Sequence, residues 1–254
     1  MGTPSGRAVH HRTNSPIHRL PAHVKIVALL GFMAAVVTTP RELIWPYGLH
    51  LALLLGVIAA SRVPLAFLAR RIAIETPFVL FALLLPFVAT GPTTTFLGLT
   101  VSRAGLWAAW ALFARGTLGV LAALTLAATT ESQDLLDGLH RLRLPRQMVE
   151  IMGFMVRYTD VVGDQWHRMR IARESRCFTA TTATGWPTLG RSLGALFIRS
   201  YERGERVHLA MLSRGYTGTM PLATSVAATR SQWGLAGTFA AAAFLISIVP
   251  PRLP

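Results

Sequence analysis

The chain has 254 residues, of which 52% are hydrophobic and only 14% charged, against roughly 25% charged in an average soluble domain. Lys and Arg number 25 and Asp and Glu 11, a formal net charge of +14, yet the mean hydropathy is +0.46. A chain this basic and this apolar argues against disorder, a nucleic-acid-binding globule and, with Cys177 as its single cysteine, a disulfide scaffold; a polytopic membrane protein with basic loops fits it. Lys25 is the sole lysine and lies in no G-x-x-x-x-G-K-[ST] string. The chain therefore has no Walker A loop with which to hydrolyse ATP itself.

In chain order, residues 1–23 are rich in Ser, Pro, His and Arg and lack the apolar centre of a signal peptide. They read as a basic arm near anionic headgroups. His10, His11, His18 and His23 are of a metal-binding type, but a segment without order of its own preorganises no site. Five apolar runs follow elsewhere in the chain: Val24–Thr39, Ile44–Ala60, Thr76–Thr90, Ala104–Thr130 and Trp233–Val249. About 20 residues cross roughly 30 Å of hydrocarbon, so the shorter runs must extend by a few flanking residues. A soluble core could hide one such run; five indicate a membrane protein.

Orientation follows from the loops. The N-terminal side carries Arg7, Arg12, Arg19 and Lys25, the last at the very start of the first run, and Arg62, Arg70 and Arg71 follow the second. The alternate loops carry only Arg41 beside Glu42, Arg103 alone and Arg252. Positive charge stays cytoplasmic, which places the N-terminus inside, returns the chain inside at Glu131 after four crossings, and leaves the C-terminus outside. Arg115 interrupts the fourth run, where an arginine at the helix centre costs roughly 2.5–3.5 kcal/mol. It is either an internally paired structural charge or a contact to another helix or subunit. Gly234, Gly237 and Ala241 in the last run suit close helix packing.

Residues 131–230 hold 23 charged side chains, nine of them acidic, and read as a cytoplasmic insert. Ser132–Leu144 places Leu135, Leu136, Leu139 and Leu142 at helical spacing and is ended by Pro145. Met148–Trp166 is apolar but carries Glu150, Arg157, Asp160 and Asp164, which suits an amphipathic helix along the membrane face; as a span it would make a sixth and invert the topology after it. His167–Arg176 is a basic helical stretch running into Cys177-Phe178 and a break at Gly185-Trp186-Pro187. Leu189–Arg214 is a long helix with Glu202 and Arg206 paired at i,i+4, and Gly215 stands where a left-handed cap is needed.

Two helices of the insert thus end alike, in Ser175-Arg176-Cys177-Phe178 and Ser213-Arg214-Gly215-Tyr216. An arginine at a helix C-terminus is already favourable with the dipole. The repetition favours docking, because a guanidinium at a helix tip offers five donors to a partner's carboxylates or carbonyls.

At these residues the chain resembles the transmembrane T component of energy-coupling factor (ECF) transporters, in the cobalt-type permease (CbiQ) branch. The resemblance runs from about His23 to Pro221 through TPFVLFALLLPF, GTLGVLAALTLAATT, LHRLRLPRQMV, MRIARESRCF and, most specifically, FIRSYERGERVHLAMLSRGYTG. It implies two Ala-Arg-Gly-like motifs, each docking its arginine in one ATPase subunit. Carried over, they are Ser175-Arg176-Cys177 and Ser213-Arg214-Gly215, with Ser for Ala in both and Cys177 for glycine in the first. A cysteine there either continues the helix right-handed or adopts a positive φ at a cost of about 1 kcal/mol.

The expected architecture is all-α and polytopic, with five to six transmembrane helices and a cytoplasmic coupling region in the plasma membrane. Its parts are the arm 1–23, four spans over 24–130, coupling helices over 131–230 and the last span over 231–254. The resemblance implies a non-catalytic subunit without cofactor. Its partners would be two cytoplasmic ABC ATPase subunits and a substrate-binding S component within the bilayer, with no nucleic acid involved. The cargo is cobalt or nickel, with the metal site on the partner; a vitamin such as biotin is the alternative cargo. Two other classes compete: a membrane-embedded metal enzyme using Asp160, Asp164 and His167, and a self-sufficient channel or carrier. Neither explains the duplicated arginine tips.

Overall fold

The computed structural model describes residues 15, 17–64, 75–89, 93–96, 99–178, 185–218 and 228–248. His10, His11, Arg70 and Arg71 lie outside them. Eight helices appear among the described residues: α1 (Ala22–Thr38), α2 (Trp45–Ser61), α3 (Thr76–Val88), α4 (Arg103–Thr129), α5 (Ser132–Arg141), α6 (Arg146–Glu174), α7 (Trp186–Leu212) and α8 (Arg230–Ile248). The fold is helical with one correction to an all-α reading, a short antiparallel hairpin of β1 (Thr93–Phe96) and β2 (Leu99–Ser102) in the register Thr93↔Ser102 and Phe96↔Leu99. Its β-branched composition, three threonines in β1 and Thr100-Val101 in β2, favours extended pairing.

The five apolar runs are α1, α2, α3, α4 and α8, each within a few residues of the expected ends. Two of them, α4 and α8, are long and apolar enough to cross a membrane unaided; α1, α2 and α3 are shorter apolar helices, and α6 is not among the candidates. Proline in the first turn starts α2, α3 and α7, where its missing N–H has no partner to lose. Gly185-Trp186-Pro187 is accordingly the beginning of α7. Met148–Trp166 and the basic stretch from His167 as far as Glu174 lie in one continuous 29-residue helix. α5 stops at Arg141, and Arg143 turns the chain with a φ of +64° before Pro145 leads into α6.

The chain divides into two compact units, one built on Gly6–Leu142 with Ser225–Pro254 and the other on Arg143–Thr224. In the first, α1 packs along α8 and against α4 and α5, while α3 pairs with α4. The core gathers Phe32, Val36, Tyr47, Leu54, Ile58 and Leu118, with Phe32 stacked on Phe239 at 5.6 Å. α1 and α8 approach closely at Gly31, where a Cβ would stand 2.9 Å from Ala240 Cβ. Gly234 and Gly237 have no neighbour within 4 Å of such a position among the described residues, so the expected close packing at those glycines is not seen there.

Contacts along the helices set their directions. His23 meets Trp233 and Phe32 meets Phe239, so α1 and α8 run parallel. Lys25 meets Thr129 and Arg115 meets Thr39, so α4 runs against α1. Tyr47 bonds Thr39, which turns α2 against α1. Gly105 abuts Pro86 while Thr117 bonds Glu75, which sets α3 against α4. α1, α3 and α8 thus point one way and α2 and α4 the other.

Candidate functional site

Helices α6 and α7 of the second unit carry the two arginine tips. At the end of α6, the Cys177 N–H donates to Glu174 O at 3.0 Å and the Phe178 N–H to Arg173 O at 3.2 Å. At the end of α7, the Gly215 N–H donates to Leu212 O and the Tyr216 N–H to Met211 O, both at 3.0 Å. This crossed pair of bonds is the Schellman motif, which requires a left-handed residue at its turn. Cys177 has φ +59° and Gly215 φ +83°. Cysteine therefore takes the strained left-handed alternative and the first helix does not continue.

The correspondence extends through each tip. Ser175 Oγ donates to Ala172 O at 3.1 Å and Ser213 Oγ to Ala210 O at 2.9 Å. The hydroxyl that serine adds over alanine is thus absorbed by the helix's own last turn. Arg176 and Arg214 are exposed, and neither forms an ion pair among the described residues. The aromatic residue that follows each tip is half-buried. Each tip therefore presents a free guanidinium where the helix dipole already favours positive charge.

The surroundings of the tips differ. Around the first, Arg170 pairs with Glu174 at 2.7 Å and Arg173 lies over the Trp166 ring at 4.7 Å. Around the second, Tyr216 Oη donates to Glu150 Oε2 at 3.4 Å, and Arg146 Nε lies 3.1 Å from Glu150 Oε1. Desolvation, and then the Glu150 carboxylate, hold the Tyr216 phenol above the ordinary tyrosine range, partly offset by Arg146. The Glu202–Arg206 pair expected from the sequence forms at 3.8 Å.

In the apolar unit, Arg115 finds neutral partners. Its Nη2 donates to Thr39 O at 2.7 Å and its Nε to Tyr47 Oη at 3.2 Å. Thr39 follows the end of α1, so the cation also meets the negative end of a helix. Three further buried polar residues take part, and of them the sequence singles out only Lys25. Lys25, buried, donates to Thr129 O at 2.8 Å and to Thr130 Oγ1 at 3.3 Å, tying the start of α1 to the end of α4. His50, fully buried, sets Nδ1 2.7 Å from Pro46 O and Nε2 3.2 Å from Ala243 O. Glu75, 2% exposed, accepts from Thr117 Oγ1 at 2.7 Å, where Gly116 leaves it room. A buried charge within an apolar helix pair was the available signal for Glu75; nothing local in the sequence marks His50.

Among the described residues no three His, Cys, Asp or Glu side chains gather closely enough to hold a metal ion. Asp160, Asp164 and His167 are thus not brought into such a group. A cavity of about 550 Å³ among α1, α2, α4 and α8 is walled mainly by carbon, including Val24, Phe32, Leu54 and Phe239. Its threonines, Thr125, Thr129 and Thr238, return their hydroxyls to their own helices, so it offers hydrocarbon contact and no ligating set.

A family model described as cobalt transport protein, CbiQ, matches residues 13–225. The cobalt transport protein CbiQ of Rhodobacter capsulatus is 28% identical over 87% of this chain and 89% of its own length. The energy-coupling factor transporter transmembrane protein EcfT of Bacillus selenitireducens is 26% identical over 92% of this chain and 90% of its own. An uncharacterised protein of Methanocaldococcus jannaschii is 34% identical over a shorter stretch, 45% of this chain and 43% of its own length. With its matched region covering most of its length, this chain belongs to the CbiQ family of cobalt transport proteins.

Proposed function

We propose that this chain is the T component of an energy-coupling factor importer for cobalt or the chemically similar nickel. It would be a non-catalytic subunit that passes motion from two ATPase subunits to a separate S component holding the metal site. The observation that carries the reading is the pair of arginine tips, matched bond for bond through two Schellman caps, with both guanidinium groups outside any ion pair among the described residues. Names borne by relatives, cobalt transport protein and energy-coupling factor transporter transmembrane protein, agree with it.

In this mechanism each ATPase subunit binds one tip, Arg176 in Ser175-Arg176-Cys177 or Arg214 in Ser213-Arg214-Gly215. Nucleotide-driven closure of the ATPases shifts the tips, and α6 and α7 carry the shift to the membrane helices. Five crossings, with the N-terminus and the coupling helices cytoplasmic in the plasma membrane, agree with the alternating directions of α1 to α4 and with α8 running parallel to α1. The division into arm, four spans, coupling region and last span belongs to the same reading. A membrane-spanning helix of 17 residues such as α1 reaches about 25 Å, so flanking turns or local bilayer thinning complete the crossing.

The test is the double charge reversal Arg176→Glu with Arg214→Glu. The variant is expected to insert and purify normally yet fail to retain the ATPase subunits or to support uptake. Retention of both activities by the double variant would overturn the docking role of the tips.

A further inference from the structure

The two tips lie at opposite ends of α6. Arg176 follows the C-terminal end of α6, whereas Tyr216, two residues beyond Arg214, reaches Glu150 in the second turn of the same helix. From Glu150 to Glu174 the helix rises about 36 Å at 1.5 Å per residue, and that rise separates the tips along α6. Helix packing alone is a poor means of keeping the distance, because no residue of α7 is buried over its 27 residues. The contact at Tyr216 is of another kind. Glu150 uses one carboxylate oxygen for Tyr216 and the other for Arg146, and its side chain is only 8% exposed while that of Arg146 is 43% exposed. Its position near the start of α6 also sets the carboxylate against the positive end of the helix.

We propose that Tyr216, Glu150 and Arg146 form a brace that positions the second arginine tip and thereby sets its distance from the first. The three are positioning residues: none is needed to touch a partner, and their effect is on where Arg214 stands relative to Arg176. The functional consequence rests on the docking role of the arginines. Two ATPase subunits moving together can drive both tips only if the spacing between the tips is kept. A tip free to swing would absorb the movement instead of transmitting it.

The experiment uses the native Cys177 at the first tip and a Thr217→Cys substitution at the exposed position after Tyr216, both spin-labelled, in the full chain in lipid nanodiscs. With the brace intact the dipolar distance distribution is narrow. Tyr216→Phe removes one oxygen, keeps the ring and the fold, and is expected to raise the population of displaced spacings about fivefold, the worth of one ordinary hydrogen bond. Glu150→Gln, which keeps an oxygen acceptor for the phenol, is expected to broaden the distribution less. In the assembled transporter, Tyr216→Phe retains the ATPase subunits but slows uptake.

An unchanged distance distribution in Tyr216→Phe would overturn the brace whatever the arginines do. A broadened distribution together with ATPase binding that survives the double arginine reversal would leave the brace standing and remove the docking role. The two readings therefore fail separately.

Discussion

Cys177→Gly is the substitution that isolates the first tip. The left-handed conformation at φ +59° costs an ordinary L-residue about 1–2 kcal/mol. Glycine removes that strain but returns about 0.4–1 kcal/mol through the greater freedom of its unfolded chain. The difference leaves a net stabilisation of the cap of about 0.5–1 kcal/mol, a two- to fivefold change in its opening equilibrium. Because the Phe178 N–H is held on Arg173 O within that cap, its amide hydrogen exchange should slow by the same factor. Cys177→Ala keeps a Cβ in the left-handed conformation and should leave the Phe178 rate near that of the native chain. Gly215→Ala should hasten exchange at Tyr216, whose N–H bonds Met211 O in the matching position. If Cys177→Gly leaves Phe178 exchange unchanged or faster, or if alanine acts like glycine, strain at this turn does not govern the tip. If the ATPase binds the capped form, its affinity for the variant rises by no more than the fraction of the native cap that stands open, so little change is expected in binding.

Gly105→Ala should destabilise the purified protein by about 1–3 kcal/mol, since its Cβ would fall 2.8 Å from both Leu85 O and Pro86 Cα; thermal melting in detergent measures this. Gly56→Ala, with nothing within 4 Å, should instead stabilise by up to about 1 kcal/mol, so one chemical change is expected to take opposite signs in the two helices. Asp137→Asn should stabilise the protein at neutral pH, because burial, followed by Asp134, raises the Asp137 carboxyl above 3.8 against the pull of Arg141 and His140. Folding then takes up protons between 3.8 and the raised value, so stability falls as pH rises through that window. The asparagine variant lacks this fall, and its advantage, followed by melting against pH, should vanish below 3.8.

The apolar helices were legible because each is a long run almost free of charge, a signal carried by composition alone. The tips were legible for another reason: Ser-Arg followed by a small residue and an aromatic recurs after 38 positions. What escaped depended on long-range geometry. Arg115 could be placed in an apolar run, but its partners come from two other elements, Thr39 O just after α1 and Tyr47 Oη in the first turn of α2. The hairpin of β1 and β2 is two four-residue segments, too short for a periodic pattern to declare itself. In the sequence Gly185-Trp186-Pro187 looks like a break, although proline is as much a first-turn residue as a terminator. Cys177 could be assigned two backbone states, and only the pairing of Phe178 N–H with Arg173 O decides between them.

The buried polar groups of the apolar unit share a chemistry that bears on how it could transmit movement. Lys25 and Arg115 both end on backbone carbonyls at or beside helix C-termini, Thr129 and Thr39, and His50 lies between carbonyls of α2 and α8. A cation on such carbonyls is stabilised by the dipole and needs no anion. In hydrocarbon, where no water would replace a broken bond, each link must stay made. Each also joins elements far apart in sequence: α1 to α4, α4 to the α1–α2 turn, and α2 to α8. The result is a set of helices cross-tied at several levels, from the start of α1 to the middle of α4, which suits a body displaced as a whole better than one that opens along its interior.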